Sequence, residues 1–379
     1  MNFKRWVWIL ILFNLMGVKT WAKNWDPRLA EANHLAFQGN YASALRVIES
    51  YIQSAPDDPN GYFIKGNILD WKAALTGQGR AAQKEMVDLL EKANDKAFHY
   101  WDKDQENVDK LIDLGQSYLF LGRKYSDVGS WMKAVLTAKK CQKHLEKAVK
   151  KDPSRVDALL SLGGFHYLAD NIPSGARSFR GLLGIKGSRS QGLSELNKAL
   201  GGNHPFVWDT KYALFNIYLD YEKNASLAFN FIQNLEKEFP NNPEFKFQKA
   251  RTYELQDRTK GIQSFLELAD FCQKNPCHKN YLFLAYYHAG RLNKDLGKNE
   301  PAKDLFAKAI SFDTGFYSNL AAEAHYWPGL LEEAAKNYPT AINKYKKAKE
   351  VRGISKELKK NIQNSLEQLC SRPEVNHQC

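Results

Sequence analysis

Two cysteines, Cys272 and Cys277, flank the stretch Gln273-Lys274-Asn275-Pro276. The first falls where a helical pattern ends and the second where the next one begins. A disulfide forms only if the two Cα atoms come within about 7 Å, and a tight inter-helix turn can bring them there. His278 follows directly. Two thiols and one imidazole are too few to specify a zinc site, so no metal is expected. Cys370 and Cys379 can close a second small loop. Cys141 is then left over, as a small apolar residue inside the fold. Pairing cannot be fixed from sequence.

Other chemistry is sparse. The chain has no His-Glu-x-x-His, no Gly-x-Ser-x-Gly and no phosphate loop ending in Gly-Lys-Ser or Gly-Lys-Thr. Gly77-Gln78-Gly79-Arg80-Ala81-Ala82 spells a dinucleotide-like fingerprint. That motif needs a strand before it, whereas Trp71-Lys72-Ala73-Ala74-Leu75 reads as a helix end; it is taken as a glycine turn. His99, His144 and His166 stand at helical positions and are scattered. No cofactor is implied, and the chain is not expected to be an enzyme.

The elements come from composition and period. Of the 379 residues, 44% are hydrophobic and 25% charged, with a formal net charge of +12. Those fractions are globular and exclude general disorder. Met1-Asn2-Phe3-Lys4-Arg5 is basic, an apolar run broken by Asn14 extends from Trp6 to Val18, and Thr20-Trp21-Ala22 supplies small residues. This is the layout of a secretory signal cleaved before Lys23; the run is shorter than the ~20 residues of a membrane span. The expected mature chain is exported, most naturally to a periplasm, after removal of residues 1–22.

Repeats organise what remains. Trp25 to Tyr62 contains Gly39-Asn40-Tyr41, then Ala44, Ile48, Tyr51 and Pro56: helix, tight turn, helix, breaker. Ala32 and Gly66 hold the small first-helix position 34 residues apart. Ala250, Tyr253, Ile262, Leu266 and Ala269 repeat the pattern, as do Tyr286, Ala289, Gly290, Ala302, Phe306 and Ala309, and then Gly329, Ala341, Tyr345 and Ala348. This resembles the tetratricopeptide repeat, a two-helix unit of 34 residues. From Ile172 to Gly202 the Ile-Pro…Gly…Gly-x-Arg…Gly-Leu pattern is similar to one in the inclusion-body-clearance tetratricopeptide family and in uncharacterised exported bacterial repeat proteins.

The resemblance implies an all-α fold, a right-handed superhelical solenoid of antiparallel helix pairs. The expected organisation is a signal peptide at 1–22, N-terminal repeats at 23–75 and a divergent long-helix region at 76–205. C-terminal repeats follow at 206–353, a capping helix at 354–370 and a tail at 371–379. The resemblance also implies that first-helix residues line a concave, ligand-binding surface. Asn33 and Asn67 take one groove-facing position as backbone-binding amides. Arg251 and Arg291 take it in later units, where a guanidinium can fork onto a carboxylate. Trp71, Tyr221 and Tyr287 lie beside them as flat apolar contacts.

The expected function is non-catalytic: a scaffold or adaptor of the cell envelope that holds a protein or peptide. The alternative is an envelope glycan-acting enzyme or accessory factor, whose carboxylates would be sought at Asp70 or Asp220. The lysines at 346, 347, 349, 356, 359 and 360 read as solvated helix faces, so nucleic acid is not expected. A peripheral membrane contact would require a continuous basic patch beside an apolar rim.

Overall fold

A computed structural model describes residues 23–76, 80–170, 184, 187–202 and 204–375, with backbone alone for 74–76 and 80–82. Among the described residues there are seventeen α-helices and no strands. They run α1 (Pro27–Phe37), α2 (Tyr41–Ser54), α3 (Pro59–Thr76), α4 (Arg80–Asp102), α5 (Val108–Asp127), α6 (Trp131–Lys151), α7 (Leu159–Asp170), α8 (Arg189–Ala199) and α9 (Val207–Asn216). Then come α10 (Ala225–Glu238), α11 (Pro243–Gln256), α12 (Arg258–Lys274), α13 (Lys279–Asp295), α14 (Asn299–Ser311), α15 (Ser318–Ala334), α16 (Tyr338–Glu350) and α17 (Lys356–Cys370). Short turns join antiparallel pairs, α11 with α12, α13 with α14, α15 with α16. The fold is an all-α solenoid of helix pairs.

The positions expected to be small are the contact points. Ala32, Ala250, Ala302, Ala309, Ala341 and Ala348 are fully buried. A Cβ on Gly290 would stand 3.2 Å from Phe306 and 3.3 Å from Leu305 across the α13–α14 contact. Gly39 and Gly297 make inter-helix turns at φ +80 and +71, the left-handed region that glycine enters without steric cost.

The chain forms two compact units that do not follow sequence order. One takes Leu45–Gly66, Gln83–Thr210 and the described residues up to Asn33; the other takes His34–Ala44 and the described parts of Asn67–Ala82 and Lys211–Cys379. In the first, α4, α5 and α6 are 23, 20 and 21 residues long. No proline interrupts them, and Leu111, Ile112, Leu114, Cys141, Leu145 and Ala148 fill their core. In the second, Phe247, Phe265, Phe283, Tyr287 and Phe306 anchor a continuous core under α11 to α15. Helix α17 closes that unit with Ile362, Leu366 and Leu369 buried, and its N-cap Ser355 accepts from the Leu358 amide at 3.3 Å.

Gly187, just before α8, and Gly192, within it, have a packing role. A Cβ on Gly192 would lie 2.5 Å from the Tyr167 nitrogen and 2.6 Å from the Gly163 carbonyl. One on Gly187 would lie 2.7 Å from the His166 carbonyl. Helices α7 and α8 therefore touch backbone to backbone, which only glycine permits. Pro173, with residues 171–183, lies outside the described residues, as do residues 1–22 and Gly77, Gln78 and Gly79. What precedes Gly77 is helix α3, not a strand.

Cys272 and Cys277 are joined, Cα to Cα 5.2 Å, across the α12–α13 turn. Cys370 is also in a disulfide; Cys379 lies outside the described residues. Cys141 is free and buried.

Candidate functional site

In the second unit the first helices of successive pairs are α9, α11, α13 and α15. Helix α9 runs into a π-helical turn over Ile217–Tyr221, with the Glu222 amide donating to the Ile217 carbonyl at 2.9 Å. The wider turn carries Asp220 towards α11. Arg251 of α11 donates to the Asp220 carboxylate at 3.0 Å and to the Gln248 amide oxygen at 2.8 Å. Gln248 in turn donates to Glu244 at 2.6 Å. Glu244 also accepts from the Tyr212 hydroxyl at 2.8 Å and the Tyr281 hydroxyl at 2.9 Å.

One turn beyond Arg251, Glu254 faces α13 and accepts from Arg291. His288 lies 3.3 Å from the same carboxylate and stacks on Phe265 with ring centres 4.9 Å apart. Burial pushes the Glu254 carboxyl up, but His288 and Arg291 outweigh it and hold the group below the usual carboxylate range. Burial takes His288 below its ordinary value, with Glu254 only partly opposing; neutral His288 then donates to Glu254. One turn beyond Arg291, the Lys294 ammonium sits 4.2 Å above the Trp327 ring of α15, a cation–π contact. The result is a ladder in which α11 places a cation on an acid of α9's π turn, and α13 places one on an acid of α11 and another on a ring of α15.

The expected site residues divide. Arg251 and Arg291 lie in this ladder, each side chain 32% exposed. Tyr221 stands exposed at the end of the π turn. Tyr287 does not line a groove: its ring is in the core, stacked on Phe283 at 6.1 Å and edge-on to Phe306 at 5.9 Å, and its hydroxyl donates to Glu323. Its ring lies between its own helix and α14, and its hydroxyl reaches α15, so almost none of it is left to solvent. Trp71 packs among Phe37, Tyr212 and Phe245, 5.1, 4.9 and 6.3 Å away between ring centres, so it is a packing residue.

Asn67 is buried. Asn33, in the first unit, is fully buried and its amide donates to the Pro205 carbonyl at 2.7 Å and to Asp209 at 2.6 Å. A side chain without solvent contact cannot clamp a peptide. Its 34-residue relation to Asn67 reflects repeat register, not shared exposure.

Glu254, His288, Lys294 and Trp327 were missed. The signal was available: charges of opposite sign, Asp220 with Arg251 and Glu254 with Arg291, recur near the repeat length. Only the contact between neighbouring first helices turns that spacing into pairs. Among the described residues no group of three or more His, Cys, Asp or Glu could hold a metal.

No protein-family model matches the chain, and no curated protein matches it. Solved structures do. The chain is similar to Cut9 in the APC/C hetero-tetramer Cut9–Hcn1, with 14% identity and a TM-score of 0.51. The match covers 95% of this chain and 58% of that chain, so this chain spans little more than half of that protein's length. Yeast Tom70 matches at 12% identity over 92% of this chain and 84% of that one, TM-score 0.41. YrrB, a tetratricopeptide-repeat protein with an unusual peptide-binding site, matches at 16% identity over 57% of this chain and 92% of that one, TM-score 0.37. Part of the 172–202 stretch that is similar to the inclusion-body-clearance family lies outside the described residues, and the similarity stays a resemblance. With its small-residue contacts, 34-residue spacing and paired helices, the chain is a tetratricopeptide-repeat solenoid in fold.

Proposed function

We propose that the chain is a non-catalytic interaction scaffold of the cell envelope, and that the first helices of its second unit hold an extended acidic segment of a partner protein. The observation that carries the reading is the arginine ladder. Arg251 and Arg291 are each fixed by one internal carboxylate, yet a guanidinium has five N–H donors. Arg251 also donates to Gln248, and each arginine keeps donors for a further acceptor while its rotamer is already set, which lowers the ordering cost of binding. Exposed Tyr221 and the Lys294–Trp327 pair extend the surface at either end. Cut9, whose fold the chain shares, assembles with Hcn1.

The reading includes export. The basic and apolar segment of residues 1–22 supports it, as does the oxidised Cys272–Cys277 pair, since such bonds persist in oxidising compartments. N-terminal sequencing of the native protein should begin at Lys23; an intact Met1 on a cytosolic protein would remove the envelope from the proposal. Of the two carboxylates at which the glycan-acting alternative was sought, Asp220 takes Arg251.

The binding test uses capture from an envelope extract by wild type, Arg291→Ala and Glu254→Gln, with folding checked by circular dichroism. Loss of the guanidinium should lower recovery of the partner. Neutralising Glu254 removes the internal competitor and should raise it. Equal recovery with all three proteins would show that this face does not bind the partner.

A further inference from the structure

The first unit carries a surface that the proposed scaffold reading does not use. Val128, Trp131, Met132 and Leu136 are large apolar side chains left in solvent, Trp131 at 66%, Met132 at 61% and Leu136 at 47% exposure. They stand where α5 turns into α6. Gly129 takes φ +76 there, and the Ser130 amide closes the turn onto the Tyr125 carbonyl at 2.7 Å. Leu168 of α7, also exposed, adjoins the patch through Phe165 and Ala169, against which Val135 and Ala138 of α6 pack.

Along α6 the same outward line continues in charge. Met132, Leu136, Lys139, Lys143, Glu146 and Lys150 follow at helical spacing and are all exposed. The helix holds seven lysines against one acid, Glu146. Lys133 and Lys140 flank the line, lying over the Tyr125 and Tyr118 rings at 4.9 and 5.2 Å. Lys133 also has Glu91 at 3.8 Å, with 64% of its side chain still exposed.

We propose that this face of α6 docks the protein on an anionic lipid bilayer, with Trp131, Met132 and Leu136 entering the interface and Lys139 and Lys143 meeting the headgroups. Apolar tip and basic stem on one helix face are the two parts such binding needs, and neither suffices alone. A tryptophan two-thirds exposed protrudes, which suits a fluid interface that requires no matching pocket. Lys147 and Lys151 are paired with Glu106, but a second copy of the chain would still set exposed Lys139, Lys143 and Lys150 against their like. The proposal does not depend on the ladder of the second unit.

The test is co-sedimentation of the mature full-length chain with phosphatidylcholine vesicles and with phosphatidylcholine–phosphatidylglycerol vesicles. Wild type should bind the anionic vesicles and not the neutral ones, and added salt should release it. The double variant Trp131→Ser, Met132→Ser should bind at least about tenfold less, with an unchanged circular dichroism spectrum. The double variant Lys139→Glu, Lys143→Glu keeps the apolar tip and should lose the preference for anionic lipid. A nitrobenzoxadiazole label at Leu136→Cys should shift to the blue on anionic vesicles. Wild type that ignores both vesicles, or binding that both double variants retain, would overturn the proposal. So would a concentration-dependent dimer abolished by the Trp131 and Met132 substitutions, since the face would then serve a second copy.

Discussion

The ammonium of Lys23 lies 2.7 and 2.8 Å from the two carboxylate oxygens of Asp113, ninety positions along the chain. Asp113 is buried and also accepts from Asn60 at 3.2 Å. Lys23 covers the Trp25 ring at 4.4 Å. The expected first residue of the mature chain is thus tied into the core of the first unit. Burial alone would lower the lysine, but Asp113 holds it above its ordinary value. Burial pushes the Asp113 carboxyl up, with Lys23 and Asn60 opposing. The bidentate contact supports the ionised pair.

Removing one partner leaves the other charge buried, so Lys23→Ala should destabilise by about 3–5 kcal/mol. Lys23→Met with Asp113→Leu should recover most of that loss. Urea unfolding of the three proteins measures it; a single and a double variant equally unstable would mean that packing, not charge, sets the cost.

Gly192→Ala should cost more than Gly290→Ala. The new methyl at Gly192 meets main-chain atoms 2.5 and 2.6 Å away, which cannot turn aside, so α7 and α8 must separate. Overpacking of that kind costs about 1–3 kcal/mol. At Gly290 the nearest atom is a Phe306 ring carbon at 3.2 Å, and alanine needs only a small shift; leucine there would not fit. Thermal melts should rank wild type, Gly290→Ala and Gly192→Ala in falling order, with Gly290→Leu well below Gly290→Ala.

Asn33→Ala should act on stability rather than on partner capture. It strips the buried Pro205 carbonyl and Asp209 of a donor; leaving such groups unsatisfied costs about 1–3 kcal/mol. The repeat register had placed this residue in the groove, where its loss would have been nearly silent. An unchanged denaturation midpoint would restore that view.

His166 makes the stability of the first unit pH-dependent. Its Nδ1 lies 2.7 Å from Glu195 of α8 and its Nε2 3.6 Å from Glu146 of α6. Burial lowers the imidazole, but the two carboxylates outweigh it and raise it above the ordinary 6.5. The folded state then binds the proton more tightly than the unfolded chain. The contribution is fully present below 6.5 and is lost as pH rises through the raised folded value. Wild type minus His166→Gln in urea should show that decline. His144 and His325, both held near 4 by burial first and by nearby lysines second, titrate below this window. A difference that stays flat, or grows with pH, would contradict the assignment.

The sequence alone determined the elements. Helical period, small residues at 34-residue intervals and prolines after second helices are local signals, and a repeat protein buries each unit against its neighbours, so local order suffices to foresee the solenoid. The long helices at α4 to α6 were legible for the same reason, whereas Cys272 and Cys277 were only a candidate pair until the α12–α13 turn set their Cα atoms 5.2 Å apart. Which face each polar residue presents was not. Asn33 and Tyr287 have types that suit a groove, yet one is used up on the start of α9 and the other is sunk against α14. Arg251 and Arg291 acquire their orientation from Asp220 and Glu254, each on another helix. Nor did composition mark the apolar tip of α6, because Trp131 and Met132 look like core until their surroundings are known. Exposure is a property of the contacts between elements, and those contacts exist only once the helices have stacked.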